Sequence, residues 1–286
     1  GFHFYKGAPA MNQLVYYQVE KQLARYTDIL IVINEEDYRS ARKFRLKRGG
    51  HLYKIPGEGL DTAVFRPLPQ AERHRLRQRL GIAEGTFFLV SVGELNENKN
   101  HRIVLEALAK IRQRKKDGPP IRYGICGDGF FRERIEGWIR EMGLADTVAL
   151  YGYCTNVPEI LGCADASVFP SRREGLGMAG LESLAMGVPV IAADNRGTRE
   201  YMEHGKNGYI CRWDDADGFA RGIETLRALS PQARAAMAAH CRDTVRPFEK
   251  RYAGALMRRI YADMERRIGE AEHEKQRIGQ RHYGRV

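Results

Sequence analysis

Two glutamates carry the strongest chemical signal in this chain. Glu174 and Glu182 lie within the stretch from Pro170 to Pro189, which reads as a strand end, a turn bearing Gly175 and Gly177, and then a helix. Backbone N–H groups at a helix N-terminus lack intrahelical partners, and glycine lets a ligand approach them closely, so the turn predicts a diphosphate site. Glu174 precedes the turn at the C-terminal end of its strand, where open α/β sheets bind ligands. Glu182 follows about two helical turns further on. The two carboxylates are therefore expected to flank one extended ligand, one near a sugar and the other on a nucleoside. Plainer readings exist: Glu174 as a turn cap, Glu182 as a solvated helix residue. However, Glu182 stands among Leu181, Leu184 and Met186, and a carboxylate among core-facing residues needs a hydrogen-bond partner. Ribose hydroxyls would supply one.

The elements that must position these groups follow from apolar patterning. Leu14, Val15, Val19 and Leu23 recur at helical spacing, and a short strand follows at Ile29 to Ile33. Asn34 is placed to cap a helix whose first turn carries Glu35, Glu36 and Asp37; that helix is expected to run to about Arg48 and stop at Gly49-Gly50. A second strand, Leu52 to Ile55, ends at Pro56-Gly57, so the unit closes a parallel α/β layer. A Gly- and Pro-rich linker to Pro69 precedes a charged helix and a new series. Strands are predicted at Phe87 to Val92, Tyr123 to Cys126, Val148 to Tyr151, Ser167 to Phe169 and Val188 to Ala192, each separated by a helix. Strands this apolar fit a parallel sheet covered on both faces. From Asp215 onward the chain reads as nearly all helical, with a polar tail after Ile268 that is expected to fray.

Composition narrows the function classes. The 286 residues, 43% hydrophobic, can bury one complete domain and part of another. The chain opens at Gly1, and Met11 lies inside a helical pattern, so its natural start is expected to lie upstream. No run spans the roughly 20 apolar residues of a membrane helix, and no secretory signal is visible. Five scattered cysteines without a CxxC spacing predict reduced thiols rather than a disulfide or metal framework. Asp214, Asp215 and Asp217 cluster before a helix and are expected to cap it, so no metal is expected. The net charge of +11 is concentrated in three runs: Arg39 to Arg48, the alternating Arg73, Arg75, Arg77 and Arg79, and Arg112 to Lys116. Such runs are ordinarily solvated helix faces, or else attract an anionic surface at about 1 kcal/mol per basic residue. Nucleic acid is not expected as a partner, because no recognition motif accompanies the charge.

The block from Ser171 to Val190, with Glu174 and Glu182 at its centre, resembles the Glu-x7-Glu signature of family four of the retaining glycosyltransferases. Gly197-Thr-Arg-Glu200, Gly205-Lys-Asn-Gly208, Val92-Gly93 with Lys99-Asn100, Gly127-Asp-Gly129 and Tyr151-Gly-Tyr153 fit the same family in the same order. The resemblance runs from Gly1 to about residue 250. It implies an α/β fold of GT-B type: one complete Rossmann-like donor-binding domain plus the closing part of an N-terminal Rossmann-like domain. The division expected is residues 1–66 for the acceptor-side remnant, 67–250 for the nucleotide-sugar domain, and 251–286 for a C-terminal helix and polar tail.

By the same resemblance, Glu174 would contact the donor sugar, and Gly175, Leu176 and Gly177 would present amides to sugar or phosphate. Glu182 would hold the ribose and Lys99 the diphosphate beside Gly93, with Gly127 and Tyr153 near the nucleotide. Lys99 alone reads as a surface residue; its place after a strand and the Gly93 turn favours phosphate. Two departures stand out. Glu94 occupies a position where the family commonly carries arginine, so it is expected to point away, pair with a base such as Arg102, or meet an acceptor. The opening Gly1-Phe-His-Phe-Tyr-Lys-Gly7 resembles the segment after a histidine important in the family, which makes His3 its nearest neighbour here and a candidate catalytic group, although a lone histidine is more often structural.

The resemblance is nearest to enzymes of capsule and exopolysaccharide assembly. It implies transfer of a sugar from a nucleoside diphosphate, with UDP the expected nucleotide, to a hydroxyl of a saccharide or lipid-linked acceptor with retention and without a metal cofactor. A cytoplasmic place at the inner membrane face is expected, with residues 39–48 as the peripheral membrane contact. Two other readings remain: a nucleotide-sugar-binding fragment without turnover, and a UDP-GlcNAc epimerase of the same fold.

Overall fold

The computed structural model describes residues 2–4, 7, 9–114 and 118–283, with side chains described as far as Glu270. Gly1, Tyr5 and Lys6 of the opening segment, and Lys115 and Lys116 of the third basic run, lie outside the described residues. The chain divides into two compact units, Leu60–Glu249 and the pair of segments Gly1–Gly59 and Lys250–Val286.

In the segmented unit, α1 (Ala10–Leu23) precedes β1 (Ile29–Val32), α2 (Glu35–Ala41) and β2 (His51–Lys54). The two strands pair in parallel, Ile29 opposite His51 and Val32 opposite Lys54. Asn34 caps α2 as expected, accepting from the Asp37 amide at 2.8 Å. The helix is shorter than the sequence suggests. It ends at Ala41 instead of near Arg48, because the chain turns to bury Phe44 among Phe2, Phe4 and Tyr17 and then returns to the strand start. Lys47 N–H donates to the Thr27 carbonyl and His51 N–H to that of Asp28, and these bonds bring β2 beside β1. The basic residues 42–48 therefore lie on turns, not on a helix face. Leu14, Val15, Val19 and Leu23 are helical as read, yet exposed. The last helix, α10 (Lys250–Tyr283), docks onto β2 through Tyr53, whose hydroxyl donates to Asp263 at 2.8 Å.

The Leu60–Glu249 unit is a six-stranded sheet. In chain order its elements are α3 (Gln70–Arg79), β3 (Phe87–Val92), α4 (His101–Gln113), β4 (Ile121–Cys126), α5 (Arg132–Glu141), β5 (Val148–Gly152), α6 (Val157–Cys163), β6 (Ala166–Phe169), α7 (Met178–Ala185), β7 (Val190–Ala193), β8 (Gly208–Cys211), α8 (Ala216–Arg227) and α9 (Pro231–Thr244). The strands lie in the order β5-β4-β3-β6-β7-β8, and every pairing is parallel. This is the doubly wound arrangement that the alternating pattern predicts. Helices α4, α5 and α8 pack together, as do α3 with α6 and α7 with α6 and α9. Phe88, Leu89 and Val90 on β3 are wholly buried, as a strand covered on both faces requires. β8 escapes the sequence reading: it is four residues long and follows directly on a turn closed by Gly205 N–H to the Gly208 carbonyl at 2.7 Å.

The basic runs resolve differently from one another. Arg73 and Arg77, one helical turn apart, leave the solvated face and reach Asp165 at 2.8 and 3.1 Å, whereas Arg75 and Arg79 stay exposed. Arg112 pairs with Asp146, and Arg114 with Asp217 and Glu224. In the first run Arg39 pairs with Glu35 and Lys47 with Asp28. Arg42, Lys43, Arg45 and Arg48 are exposed with no acidic partner among the described residues.

Candidate functional site

The strand order reverses between β3 and β6. The loops leaving the C-terminal ends of these two strands consequently diverge and leave a crevice between them, the usual ligand site of such sheets. Lys99 belongs to the loop after β3 and Glu174 to the loop after β6, so the topology brings together two residues 75 positions apart. Lys99 Nζ donates to Glu174 Oε1 at 2.7 Å and lies 5.4 Å from the Phe169 ring centre. Both side chains are largely shielded, with 22% and 16% of their surface exposed.

The loop carrying Glu174 is held by polar side chains that the sequence reading did not single out. Asn98 donates to the Arg173 carbonyl at 2.9 Å, and the Arg172 amide donates to the Asn98 carbonyl at 2.8 Å. Asn100 reaches the Pro170 and Trp213 carbonyls, and Asn195 donates to the Ser171 carbonyl at 2.9 Å. Asn100 adopts a left-handed backbone with φ of 53°, the sole non-glycine residue described with positive φ, and so turns β3 sharply into α4. Arg196, nearly buried, donates to the Glu174 carbonyl at 3.4 Å. The only hint available in the sequence is the density of asparagine in turns.

Gly177 caps α7 with φ of 85°, and a Cβ there would come within 2.6 Å of the Phe169 ring, so geometry and space both demand glycine. The Tyr201 hydroxyl donates to the Gly177 carbonyl at 3.1 Å and fills the space over Gly180. Gly197 packs against the backbone of Leu176, where a Cβ would come within 2.8 Å of the carbonyl oxygen. Leu176 is buried and Gly175 lies in the turn. The amides of Gly177, Met178 and Ala179 head the helix without a protein acceptor among the described residues. Such amides carry the positive end of the helix dipole.

Glu182 lies half-buried on α7 between the buried Leu181 and Ser183. Its carboxylate has no hydrogen-bond partner among the described residues, and burial raises its pKa above the ordinary glutamate value. A shielded acceptor with no protein partner is poised for a ligand's donors.

The remaining predicted residues fall as follows. Gly93, at the end of β3, lies beneath the Lys99 side chain, 3.2 Å from Cε to a built Cβ. Gly127 follows β4, and a Cβ there would collide with the Gly93 carbonyl, so the two strand ends approach as only glycine permits. Tyr153 follows β5 and is 83% exposed, with its ring open to a planar partner. His3 belongs to the other unit, is exposed, and packs its ring 5.2 Å from that of Tyr16. Glu94 is exposed and accepts from Asn96 at 2.9 Å; it does not pair with Arg102, which is engaged by Glu106.

Asp215 caps α8, accepting from the Gly218 amide, while Asp214 and Asp217 pair with Arg212 and with Lys110 and Arg114. Among the described residues no group of three or more His, Cys, Asp or Glu could hold a metal ion, and no helix is long and apolar enough to cross a membrane. All five cysteines are free thiols; burial pushes Cys163 and Cys211 to about 11 and Cys241 to about 12, so these thiols are unreactive near neutrality.

Comparison with known proteins places this geometry in context. The family described as "Glycosyl transferases group 1" matches residues 72–242. The putative glycosyltransferase EpsD of Bacillus subtilis is 44% identical over 226 residues, covering 79% of this chain and 58% of its own. An Escherichia coli UDP-Gal:alpha-D-GlcNAc-diphosphoundecaprenol alpha-1,3-galactosyltransferase is 26% identical over 86% of this chain and 62% of its own. The chain thus spans less than two thirds of the length of these relatives. Among solved structures, Anabaena Alr3699/HepE in complex with UDP and glucose superposes with a TM-score of 0.75 at 22% identity, covering 87% of this chain and 67% of that one.

Proposed function

The chain belongs to the group 1 glycosyltransferases, and on that premise we propose that its Leu60–Glu249 unit binds a nucleoside-diphosphate sugar, with UDP as the nucleotide. The observation that carries this reading is the set of groups gathered at the strand-order reversal: three amides heading α7 and the Glu182 carboxylate, all without a protein partner among the described residues, beside the Lys99 ammonium that Glu174 holds. The amides and Lys99 offer positive charge to a diphosphate, and Glu182 accepts from ribose hydroxyls. Tyr153 lies toward the base, and Glu174 turns toward the sugar as Lys99 exchanges it for phosphate. HepE is described in complex with UDP and glucose, which supports the choice of nucleotide.

The reaction is transfer of the sugar to a hydroxyl of a saccharide or lipid-linked acceptor with retention, in surface polysaccharide assembly. The bond from C1 to the diphosphate oxygen breaks, C1 bonds to the acceptor oxygen, and the acceptor's hydroxyl proton passes to the departing diphosphate oxygen. What this chain supplies is stabilisation of charge on the leaving diphosphate, and one well-placed donor of that kind contributes about 3 kcal/mol. No residue among those at the crevice is needed as a metal ligand. The unpaired cations Arg42, Lys43, Arg45 and Arg48 support contact of the segmented unit with an anionic membrane face, and hence a cytoplasmic location.

A second reading rests on the same groups: the Leu60–Glu249 unit can hold a diphosphate and a ribose without a sugar being transferred. UDP titration and a transfer assay on the same sample separate the two. Saturable UDP binding with a transferred sugar of retained configuration supports the enzyme. Binding without transfer identifies a donor-binding module, and no binding refutes both.

A further inference from the structure

A cavity of about 550 Å³ lies between α4, α5 and the loop after β8, in the same unit as Lys99 and Glu174 but lined by neither. The chain contains only two tryptophans, Trp138 and Trp213, and both line this cavity. Trp213 keeps 43% of its surface exposed, an unusual state for the largest apolar side chain. Each indole is held by a stacked guanidinium: Arg102 lies 5.2 Å from the Trp138 ring centre and Arg172 lies 5.0 Å from that of Trp213. The guanidiniums are fixed in turn, Arg102 by Glu106 at 2.9 Å and Arg172 by Glu97 at 2.8 Å.

We propose that this cavity is a binding site for a neutral oligosaccharide. The charge balance selects the ligand class. The lining includes Arg102, Arg134 and Arg172 against Glu97, Glu106 and Asp214, so the wall has no cationic excess with which to hold a polyanion. His101, at its base, adds no charge near neutrality, because burial and the neighbouring Lys99 hold its pKa at about 4. The arginines and carboxylates nevertheless offer donors and acceptors side by side, as a sugar hydroxyl requires, since it is both. Beyond the faces that the guanidiniums cover, the indoles, above all the 43% exposed Trp213, offer apolar ring surface to the C–H side of a pyranose, and the volume falls within the range of small-ligand sites. The site also adjoins the crevice. Arg172 stands two residues before Glu174 on the loop that Asn98, Asn100 and Asn195 pin, so a glycan seated here runs past the rim of the nucleotide site. The inference does not depend on nucleotide binding.

Because both chromophores line the cavity, the whole indole emission of the protein reports on its occupancy. The test is a fluorescence titration of the full chain with maltohexaose and with fully N-acetylated chitohexaose, repeated on Trp138→Phe and Trp213→Phe, each of which retains one reporter. Thermal unfolding of the same samples checks that the variants fold, and UDP titration checks that the nucleotide site is undisturbed. The expected result is a saturable emission change with at least one hexasaccharide, weakened at least tenfold in Kd by one or both substitutions while UDP affinity is unaltered. Absence of a saturable change with both sugars up to about 10 mM, well above a millimolar Kd, overturns the proposal. So does a saturable change whose Kd survives both substitutions. Failure of UDP to bind the wild-type chain would count against the nucleotide site alone.

Discussion

The two ends of the six-stranded sheet use the same chemistry for opposite purposes. At the end where the strands begin, Asp165 is surrounded by Arg73, Arg77 and Arg234 at 2.8, 3.1 and 3.7 Å and also accepts from the Phe88 amide at 2.8 Å. The same guanidiniums also donate to carbonyls: Arg73 to Cys163 and Ala164, Arg77 to Cys163 and Thr86, and Arg234 to Leu226. At the end where the strands finish, Lys99 and Glu174 also form a shielded ion pair, but around them stand a carboxylate and three amides without a protein partner. A carboxylate whose acceptor positions are all taken clamps α3, β6 and α9 together. An unsaturated one leaves free energy to be gained when a ligand arrives. The number of bonds still open, and not the presence of charge, separates the clamp from the candidate site.

The largest effect is expected where saturation is broken. Asp165→Ala leaves three partly buried guanidiniums without their carboxylate and should lower unfolding free energy by about 3 kcal/mol, measured by urea denaturation, with the Kd for UDP unchanged. Loss of UDP affinity at unchanged stability would invert the comparison.

The opposite behaviour is expected of Glu182. Burial raises its folded pKa above its unfolded value, so the folded state binds the proton more tightly and stability falls as pH rises through that interval. Glu182→Gln, which cannot ionise, should therefore raise the melting temperature at neutral pH. In the wild type, UDP affinity should decline as pH falls through the raised pKa, and in the glutamine variant that decline should vanish.

His101 offers a smaller test with a definite sign. Its folded pKa of about 4 lies below the ordinary histidine value, so between about 6.5 and 4 the unfolded chain takes up a proton that the folded chain refuses. The stability contribution is complete above that window and is lost as pH falls through it, by at most about 1.4 kcal/mol per pH unit. A His101→Gln variant should show a shallower slope of unfolding free energy against pH over the same range.

Smallest of all, Asn98→Ala removes one side-chain hydrogen bond, that to the Arg173 carbonyl, and should cost about 1 kcal/mol. It should also weaken UDP binding modestly by loosening the loop, and a stability change with wild-type affinity would show that the loop does not need this pin.

What the sequence reveals follows from how local each cause is. The strands β3 to β7 are legible because a parallel sheet covered on both faces demands unbroken apolar runs, and Phe87 to Val92 is such a run. Gly177, Glu174 and Glu182 are legible because a strand, a glycine turn and a helix are contiguous in sequence. The end of α2 is not: the pull of Phe44 into an aromatic cluster assembled from Phe2, Phe4 and Tyr17 outweighs the helix propensity of residues 42–48. Nor is the role of Arg73 and Arg77, which read as a solvated face until the fold brings Asp165, some ninety positions away, against them. The pinning of the 171–174 loop by Asn98 and Asn195 is hidden for the same reason.

The most direct test of the account is calorimetric titration of UDP into the wild-type chain and into Glu182→Gln at one neutral pH. The account predicts saturable binding to the wild type and at least a tenfold larger Kd in the variant, the loss expected when hydroxyls surrender a charged acceptor. Equal affinities, or no saturable heat with the wild type, would contradict it.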